Sequence, residues 1–575
     1  MDKNFGYEEV KMVLKKKVII FLAIGLLGFV LASAASLIKT PAEEIRYTRY
    51  TQNEDIARFL SVLQSKSGVL KVSVVGRTKE VENYPAKDLY LCVLTEEGIR
   101  NPGDLNRQKP TILYIASQHG NEQSAKEAAL RLIRDLAVGD LKPLLKKINV
   151  LVIPQANPYG NFYDIRQNEI GLDLNRDHVK LEGESTKAIH RVFSLYQPEV
   201  TMDVHEKGDD YYQVSVGCVS NLNINQSLQD FSRQIILAEI NKKLEKKRIT
   251  YHEYLVRDPL GVNTSSGARI SEEEAGREMM ARYSTTDLND GRNSLGIYET
   301  LSFIQEGASR HDLQTLEARA NRQYEGLRAL AEVVSDQAAE VIKLVRDLRS
   351  SLLKRAEAMA ETGLIHLRME YVRNPKEPEL VLKAFEPVSS PIRGILKVDK
   401  KAGDYLTAED IAPYPGPSNQ KVVTRTDKNW FPLVESRLTV SRPAGYIVPG
   451  DRSDLIEVLV QQGIKVQMLE KDAVIEAVAY KVAEIVPARA DYLAPQKIEV
   501  QPEKLMLPVK KGDFYVPCLQ PAAYLIPCLL EPQSEYGLIR YFKFRLVPEA
   551  GNRFEIYRVE KPIILPLVDY KSGWD

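Results

Sequence analysis

The stretch Thr111-Ile-Leu-Tyr-Ile-Ala-Ser-Gln-His119-Gly-Asn-Glu122 decides the fold. Its first six residues, Thr111 to Ala116, form an apolar, β-branched run with the length of a buried strand. The run stops at Ser117-Gln-His119-Gly, and a carboxylate, Glu122, follows three residues after the imidazole. A histidine nitrogen with a glutamate oxygen is an ordinary zinc ligand pair, but two ligands do not make a site. A third ligand, a base and a charge clamp have to come from elsewhere in the chain.

Working outward, Glu54 to Gln64 has helical spacing through Ile56, Leu60 and Leu63, and Lys71–Val75 and Leu89–Leu94 read as strands. A helix is expected from Glu122 to about Leu136. Ile148-Asn-Val-Leu-Val-Ile-Pro154 is a largely apolar run of the kind buried on both faces. Strand and helix signals alternate, so the expected fold class is α/β, a mixed, mostly parallel sheet with helices on both faces. The polar residues fall at corresponding ends of the strands. His119 follows the first run and Asn157-Pro-Tyr-Gly160 the second. His205 ends Pro198-Glu-Val-Thr-Met-Asp-Val-His205, and Glu306 ends the run that starts at Tyr298. Open α/β sheets build their sites outside the carboxyl ends of strands, so these residues are expected to meet there. Between the second and third runs lie Asp164-Ile-Arg166 and Gly171-Leu-Asp-Leu-Asn175-Arg176-Asp-His178. An arginine fork beside an asparagine amide suits a carboxylate held by paired hydrogen bonds.

The order of these parts resembles the zinc carboxypeptidases of the carboxypeptidase A type, over about residues 45–310. The resemblance implies that His119, Glu122 and His205 hold one Zn²⁺ and leave a fourth position for water. It implies Arg166 as the oxyanion donor, Asn175 and Arg176 as the grip on the substrate's terminal carboxylate, and Glu306 as general base. Three protein ligands with one open position is the catalytic arrangement, whereas structural zinc sites are closed. Two residues are less well marked. Tyr283 is taken as the substrate-contacting tyrosine from its distance before Glu306. Glu299 lies in the same run as Glu306, but the strand-end position favours Glu306. The interval from Glu122 to His205 is short, which implies trimmed loops and an open mouth. Among the other histidines, His178 is the candidate for support behind the ligands, while His190, His252, His311 and His366 read as solvated or structural.

Composition bounds the rest. The chain has 575 residues, 44% apolar and 27% charged, so a globular protein of two or more domains is expected. Lys+Arg and Asp+Glu balance at 78 each, and bulk charge gives no reason to expect nucleic acid as a partner. Lys15-Lys16-Lys17 precede an uncharged run from Val18 to Ile38. As a helix this would span roughly 31 Å, a bilayer core, while Ala32-Ser33-Ala34 also fits a cleavage site. Residues 1–40 are therefore a signal peptide or a membrane anchor, and either places the rest outside the cytoplasm. Residues 41–310 are expected to form the catalytic domain, 311–361 a helical segment, and 362–575 a β-rich C-terminal domain. Cys518 and Cys528 could pair in an exported domain or act as small buried hydrophobes. The functional expectation is an exported zinc carboxypeptidase acting on peptides with a free C-terminal carboxylate. The competing readings are a zinc amidase of cell-wall stem peptides or acylated amino acids, and a noncatalytic binding module of the same fold.

Overall fold

A computed structural model describes residues 38–208, 210–260, 273, 276–283, 285–309, 315–357, 363–386 and 421–571. The uncharged run from Val18 falls outside them except for Ile38, as does His311. Among the described residues no helix is long and apolar enough to cross a membrane.

The runs expected as strands pair into one eight-stranded sheet. Its strands are β1 (Leu70–Arg77), β2 (Asp88–Leu94), β3 (Thr111–Ala116), β4 (Asn149–Ile153), β5 (Val200–Lys207), β6 (Val214–Cys218), β7 (Tyr251–Glu253) and β10 (Leu301–Ala308). A separate antiparallel pair, β8 (Leu255–Pro259) and β9 (Met279–Tyr283), stands beside it. The spatial order is β1-β2-β4-β3-β5-β10-β6-β7. The four central strands β4, β3, β5 and β10 are parallel. β2 and β6 run antiparallel on either side of them. Every residue of β3, β4 and β10 is buried, which is why these segments read as continuous apolar runs and not as alternation.

Helices cover both faces, and the period-2 alternation of β3 shows which residue meets which layer. Ile112, Tyr114 and Ala116 join the core formed with α1 (Asn53–Lys66), α2 (Ser124–Ala137), α4 (Ala238–Lys246) and α6 (Leu316–Asp336). Leu113 and Ile115 face α3 (Glu184–Tyr196) and Leu295 of the short α5 (Gly291–Gly296). The helical stretch expected after residue 311 is two helices, α6 and α7 (Ala338–Glu357). α6 lies on the eight-stranded sheet: its Gln323 donates to the His205 carbonyl, and its Arg319 pairs with buried Glu206.

Beyond it, β11 (Leu364–Val372) and β12 (Leu380–Phe385) pair with β14 (Leu433–Ser441) and β13 (Val422–Asp427). A seven-stranded, wholly antiparallel sheet follows, its strands lying between residues 445 and 569. A helix, α8 (Ser453–Gln461), stands among these strands. Cys518 and Cys528 are both free and buried, so they act here as small core residues. Residues of this later sheet region are tied to the segments beside the eight-stranded sheet by buried polar contacts. Arg540 grips Asp287 with both ends of its fork at 2.8 and 3.0 Å, and Gln462 donates to the carbonyls of His178 and Val179.

Candidate active site

The chain leaves β3 through Ser117 in the left-handed conformation (φ 60°), and this turn throws His119 over the carboxyl end of the sheet. A Cβ at Gly120 would fall 2.0 Å from the Gly160 backbone, so two loops touch main chain to main chain there. Asn157 fastens that contact by donating to the carbonyls of Gln118 and Arg166, at 3.1 and 3.2 Å. The Asn157-Pro-Tyr-Gly160 turn thus sets the His119 loop and the Arg166 loop against each other.

His119, Glu122 and His205 meet, all buried, with donor atoms within 4.8 Å of one another. His119 Nδ1 lies 2.7 Å from one Glu122 oxygen, His205 Nδ1 lies 2.8 Å from the other, and the two Nδ1 atoms are 3.0 Å apart. Tetrahedral zinc with bonds of about 2.0–2.1 Å needs donors roughly 3.3 Å apart, so a small outward movement of each side chain fits the ion. The remaining nitrogens are spoken for. Asp173 accepts at His119 Nε2 (3.0 Å), and Asp203 accepts at His205 Nε2 (2.7 Å). With Nε2–H donated to a carboxylate, each Nδ1 lone pair faces the metal position. The electrostatics agree. Burial works against a positive His205, but Asp203 and Glu122 outweigh it and hold its pKa well above the ordinary value. Carboxylates on both sides of this histidine make the pocket one that stabilises a cation.

Asp173 is a hub that sequence reasoning did not single out. Its carboxylate takes His119 Nε2 and the Asn175 backbone N–H on one oxygen and Arg166 Nε (2.8 Å) on the other. Arg166 Nη1 then sits 3.1 Å from His119 Nδ1, beside the metal position. Asn175 and Arg176 lie on the wall of the same cleft, a cavity of about 200 Å³ that also reaches Glu306. Gly291 N–H donates to Asn175 Oδ1 at 2.7 Å and fixes that amide. Arg176 donates to the Asn175 carbonyl, and its Nε, though buried, has no hydrogen-bond partner among the described residues.

Glu306 stands in β10 directly beside His205 of β5. Burial pushes its carboxyl up to about 7, with Glu122 adding to the rise while His205, His119 and Lys207 oppose it. Glu299 precedes β10, at the other end, with φ 55°. Seven residues of extended chain separate the two glutamates by roughly 20 Å. Tyr283 is not among the residues lining the cleft; it packs edge-on against Trp430 at 4.7 Å. Tyr254 lines the cleft and interacts with Glu306, and burial together with that carboxylate holds its phenol well above the ordinary range. Tyr283 pairs with Leu255 in the β8–β9 ladder, so the two tyrosines are near neighbours in that wall. His178 and His190 form a buried pair (3.1 Å), and Gln118 links His178 to Asp203. Asp203 had a readable signal, because residue i−2 on a strand shares a face with the ligand. Tyr254 and Asp173 had none of comparable strength.

Residues 56–206 match the family model described as zinc carboxypeptidase. Across 529 residues the chain is 25% identical to Carboxypeptidase 2 of Trichophyton tonsurans, covering 89% of this chain and 87% of that one. Carboxypeptidase 2 of Trichophyton rubrum is 24% identical over the same shares. A solved metallo-carboxypeptidase from Burkholderia cenocepacia is 18% identical, covering 50% of this chain and 69% of that one, with a TM-score of 0.36. The convergent His-Glu-His donors, together with the match of residues 56–206 to the zinc carboxypeptidase model, make this chain a zinc-dependent peptidase with its ion on His119, Glu122 and His205.

Proposed function

We propose that the chain is an exported carboxypeptidase that removes the last residue from peptides with a free C-terminal carboxylate. The observation that carries this is Arg176. It faces the cleft beside Asn175, and no carboxylate of the described residues pairs with it. The other arginines that line the cleft each reach one: Arg166 has Asp173, Arg282 has Asp258, and Arg292 has Asp290 through a single nitrogen. A substrate's terminal carboxylate would complete the set, its two oxygens taken by the guanidinium fork and the Asn175 amide.

Zinc, when bound, supplies Lewis-acid polarisation of the scissile carbonyl and a lowered pKa for water. The chain's own residues do the rest. Arg176 and Asn175 hold the C-terminus and set which bond reaches the ligands. Glu306, buried beside His205, accepts a proton from the attacking water and passes it to the leaving amine. Arg166, anchored by Asp173, offers N–H donors where the oxyanion forms. Tyr254, in place of Tyr283, closes the wall next to Glu306. The export part of the reading is supported by Lys15–Lys17 followed by the uncharged Val18–Ile38 run.

The test compares a free-acid peptide with its C-terminal amide, using the unsubstituted protein and Arg176→Ala. The acid should be preferred by roughly 10²–10³-fold in kcat/KM, because the amide leaves a desolvated cation unpaired. Arg176→Ala should bring the two substrates close together. Equal cleavage of acid and amide by the unsubstituted protein would remove the exopeptidase reading and favour a broader zinc amidase.

A further inference from the structure

A second cation in the cleft lacks a full partner. Arg292, on the first turn of α5, is 2% exposed and lines the cavity shared by Glu122, Arg176 and Glu306. Its Nη2 reaches Asp290 Oδ2 at 3.2 Å, but Nε and Nη1 have no hydrogen-bond partner among the described residues. Asp290 is itself shared, since it also caps α5 through the Asn293 N–H at 2.7 Å. The nearby carboxylate Glu253 is committed to Arg233 at 2.9 Å. Buried arginine N–H groups are ordinarily satisfied, so two orphaned donors at the wall of a substrate cleft point to a missing acceptor.

The position of the guanidinium says what that acceptor is. A Cβ at Gly217 would lie 3.2 Å from Arg292 Nη1 and 3.0 Å from Tyr254 Cβ, so the glycine makes room for both side chains. Gly217 is the ladder partner of Ile304. Ile304 also lines the cleft and lies two residues before Glu306, on the same face of β10. Arg292 therefore sits about one pleat, roughly 7 Å, deeper than the base. From a scissile carbonyl carbon to the Cδ of the departing residue is five bonds, roughly 6 Å when extended. An aspartate would stop one bond short.

We propose that Arg292 is the floor of the subsite for the departing residue's side chain, and that this carboxypeptidase selects an acidic C-terminal residue, glutamate above aspartate. The proposal rests on the exopeptidase reading above. The cleft then offers two cations for the two carboxylates of one substrate residue: Arg176 takes the terminal carboxylate and Arg292 the side chain. Burial raises the discrimination, because a neutral side chain would leave the Arg292 donors without an acceptor.

The experiment measures kcat/KM for N-blocked dipeptides that end in Glu, Asp, Gln, Leu or Lys, and for the Glu peptide with its terminal carboxylate amidated. With the unsubstituted zinc enzyme, Glu should exceed Gln and Leu by about 10²-fold or more, and Lys should be the poorest. Arg292→Met should lose that advantage while keeping or gaining on Leu, and Arg292→Lys should keep part of the preference for Glu over Gln. If the unsubstituted enzyme cleaves Gln or Leu as well as Glu, the acidic subsite is wrong, whatever the variants do. If Arg292→Met loses all substrates equally with zinc content intact, Arg292 serves the terminal carboxylate or the fold and the assignment is overturned. Failure of the exopeptidase reading is seen separately, as amidated and free-acid Glu peptides cleaved alike.

Discussion

Asp203 tests whether the metal site is held from behind. Its Oδ2 is buried and accepts two donors, His205 Nε2 at 2.7 Å and Gln118 Nε2 at 2.8 Å. The Gln118 amide is oriented by His178, which meets its Oε1 at 2.9 Å, so the oxygen of Asp203 cannot be replaced by turning that amide round. Only the His205 bond bears on zinc; the Gln118 bond bears on the fold. A hydrogen bond to a charged group is worth about 1.5–3 kcal/mol net, and each 1.4 kcal/mol is tenfold in affinity. Asp203→Ala should therefore weaken zinc binding by about 10–100-fold, the range known for partners of metal-bound histidines. Asp203→Asn keeps an oxygen for both donors and removes only the charge, so its loss should fall at the low end. Competition with a chromophoric chelator near neutral pH measures the affinity. Thermal melting of the zinc-free proteins measures the structural loss separately, and kcat at saturating zinc should change far less than affinity. Zinc affinity in Asp203→Ala within threefold of the unsubstituted protein would refute the reasoning, because His205 would then need no carboxylate behind it.

Glu306→Gln should keep its zinc and lose about 10²–10⁴-fold in kcat, the usual contribution of a general base; retained zinc with normal turnover would reassign the base. The same substitution has a stability signature in the zinc-free protein. A carboxyl raised to about 7 holds its proton in the fold where the unfolded chain has released it. Its cost therefore sets in as pH rises above 4.5 and is complete above about 7. Zinc-free Glu306→Gln should then melt higher than the unsubstituted protein at pH 8 and equally at pH 4.5, by on the order of 3 kcal/mol at most. Arg540→Ala strands buried Asp287 and should destabilise by about 3–5 kcal/mol, read by urea unfolding. Because Asp287 lies three residues before Asp290 of the cleft wall, KM should rise with it, and an unchanged melt and KM would show the Arg540–Asp287 pair to be idle.

The residues legible in the sequence are those delivered by the four central strands. β3, β4, β5 and β10 are buried on both faces, so each appears as an apolar run whose end is marked by the first functional polar group. His119 and Glu122 lie just past β3, and His205 and Glu306 fall near the carboxyl ends of β5 and β10. The same logic separates Glu299, a left-handed residue before β10, from Glu306 near its carboxyl end. What the sequence hid is supplied by connections whose positions depend on long-range packing. Distance along the chain points to Tyr283, while the β8–β9 ladder sets it opposite Leu255 and Tyr254 is the tyrosine that lines the cleft. Asp173 and Arg292 carry no periodicity at all. Each is recognisable only once folding has gathered the charges around it and shown which are paired.

That division bears on the role of the C-terminal sheet. The metal ligands rest on the central strands and on α6, whose Gln323 and Arg319 hold the backbone of His205 and the side chain of Glu206. The substrate wall is supported from a different direction. Arg540 grips Asp287, Tyr536 reaches Thr286, and Gln462 holds the carbonyls of His178 and Val179, two and three residues beyond Arg176. Asn289 in turn donates to the Arg176 carbonyl at 2.7 Å, joining the two braced segments. The segments that carry Arg176 and Arg292 are thus braced directly by residues far later in the chain, whereas His205 is reached from there only through His178, Gln118 and Asp203. On this account the later residues brace both arginines of the cleft wall. Loosening the brace should then degrade recognition of the substrate's charges before it degrades metal binding.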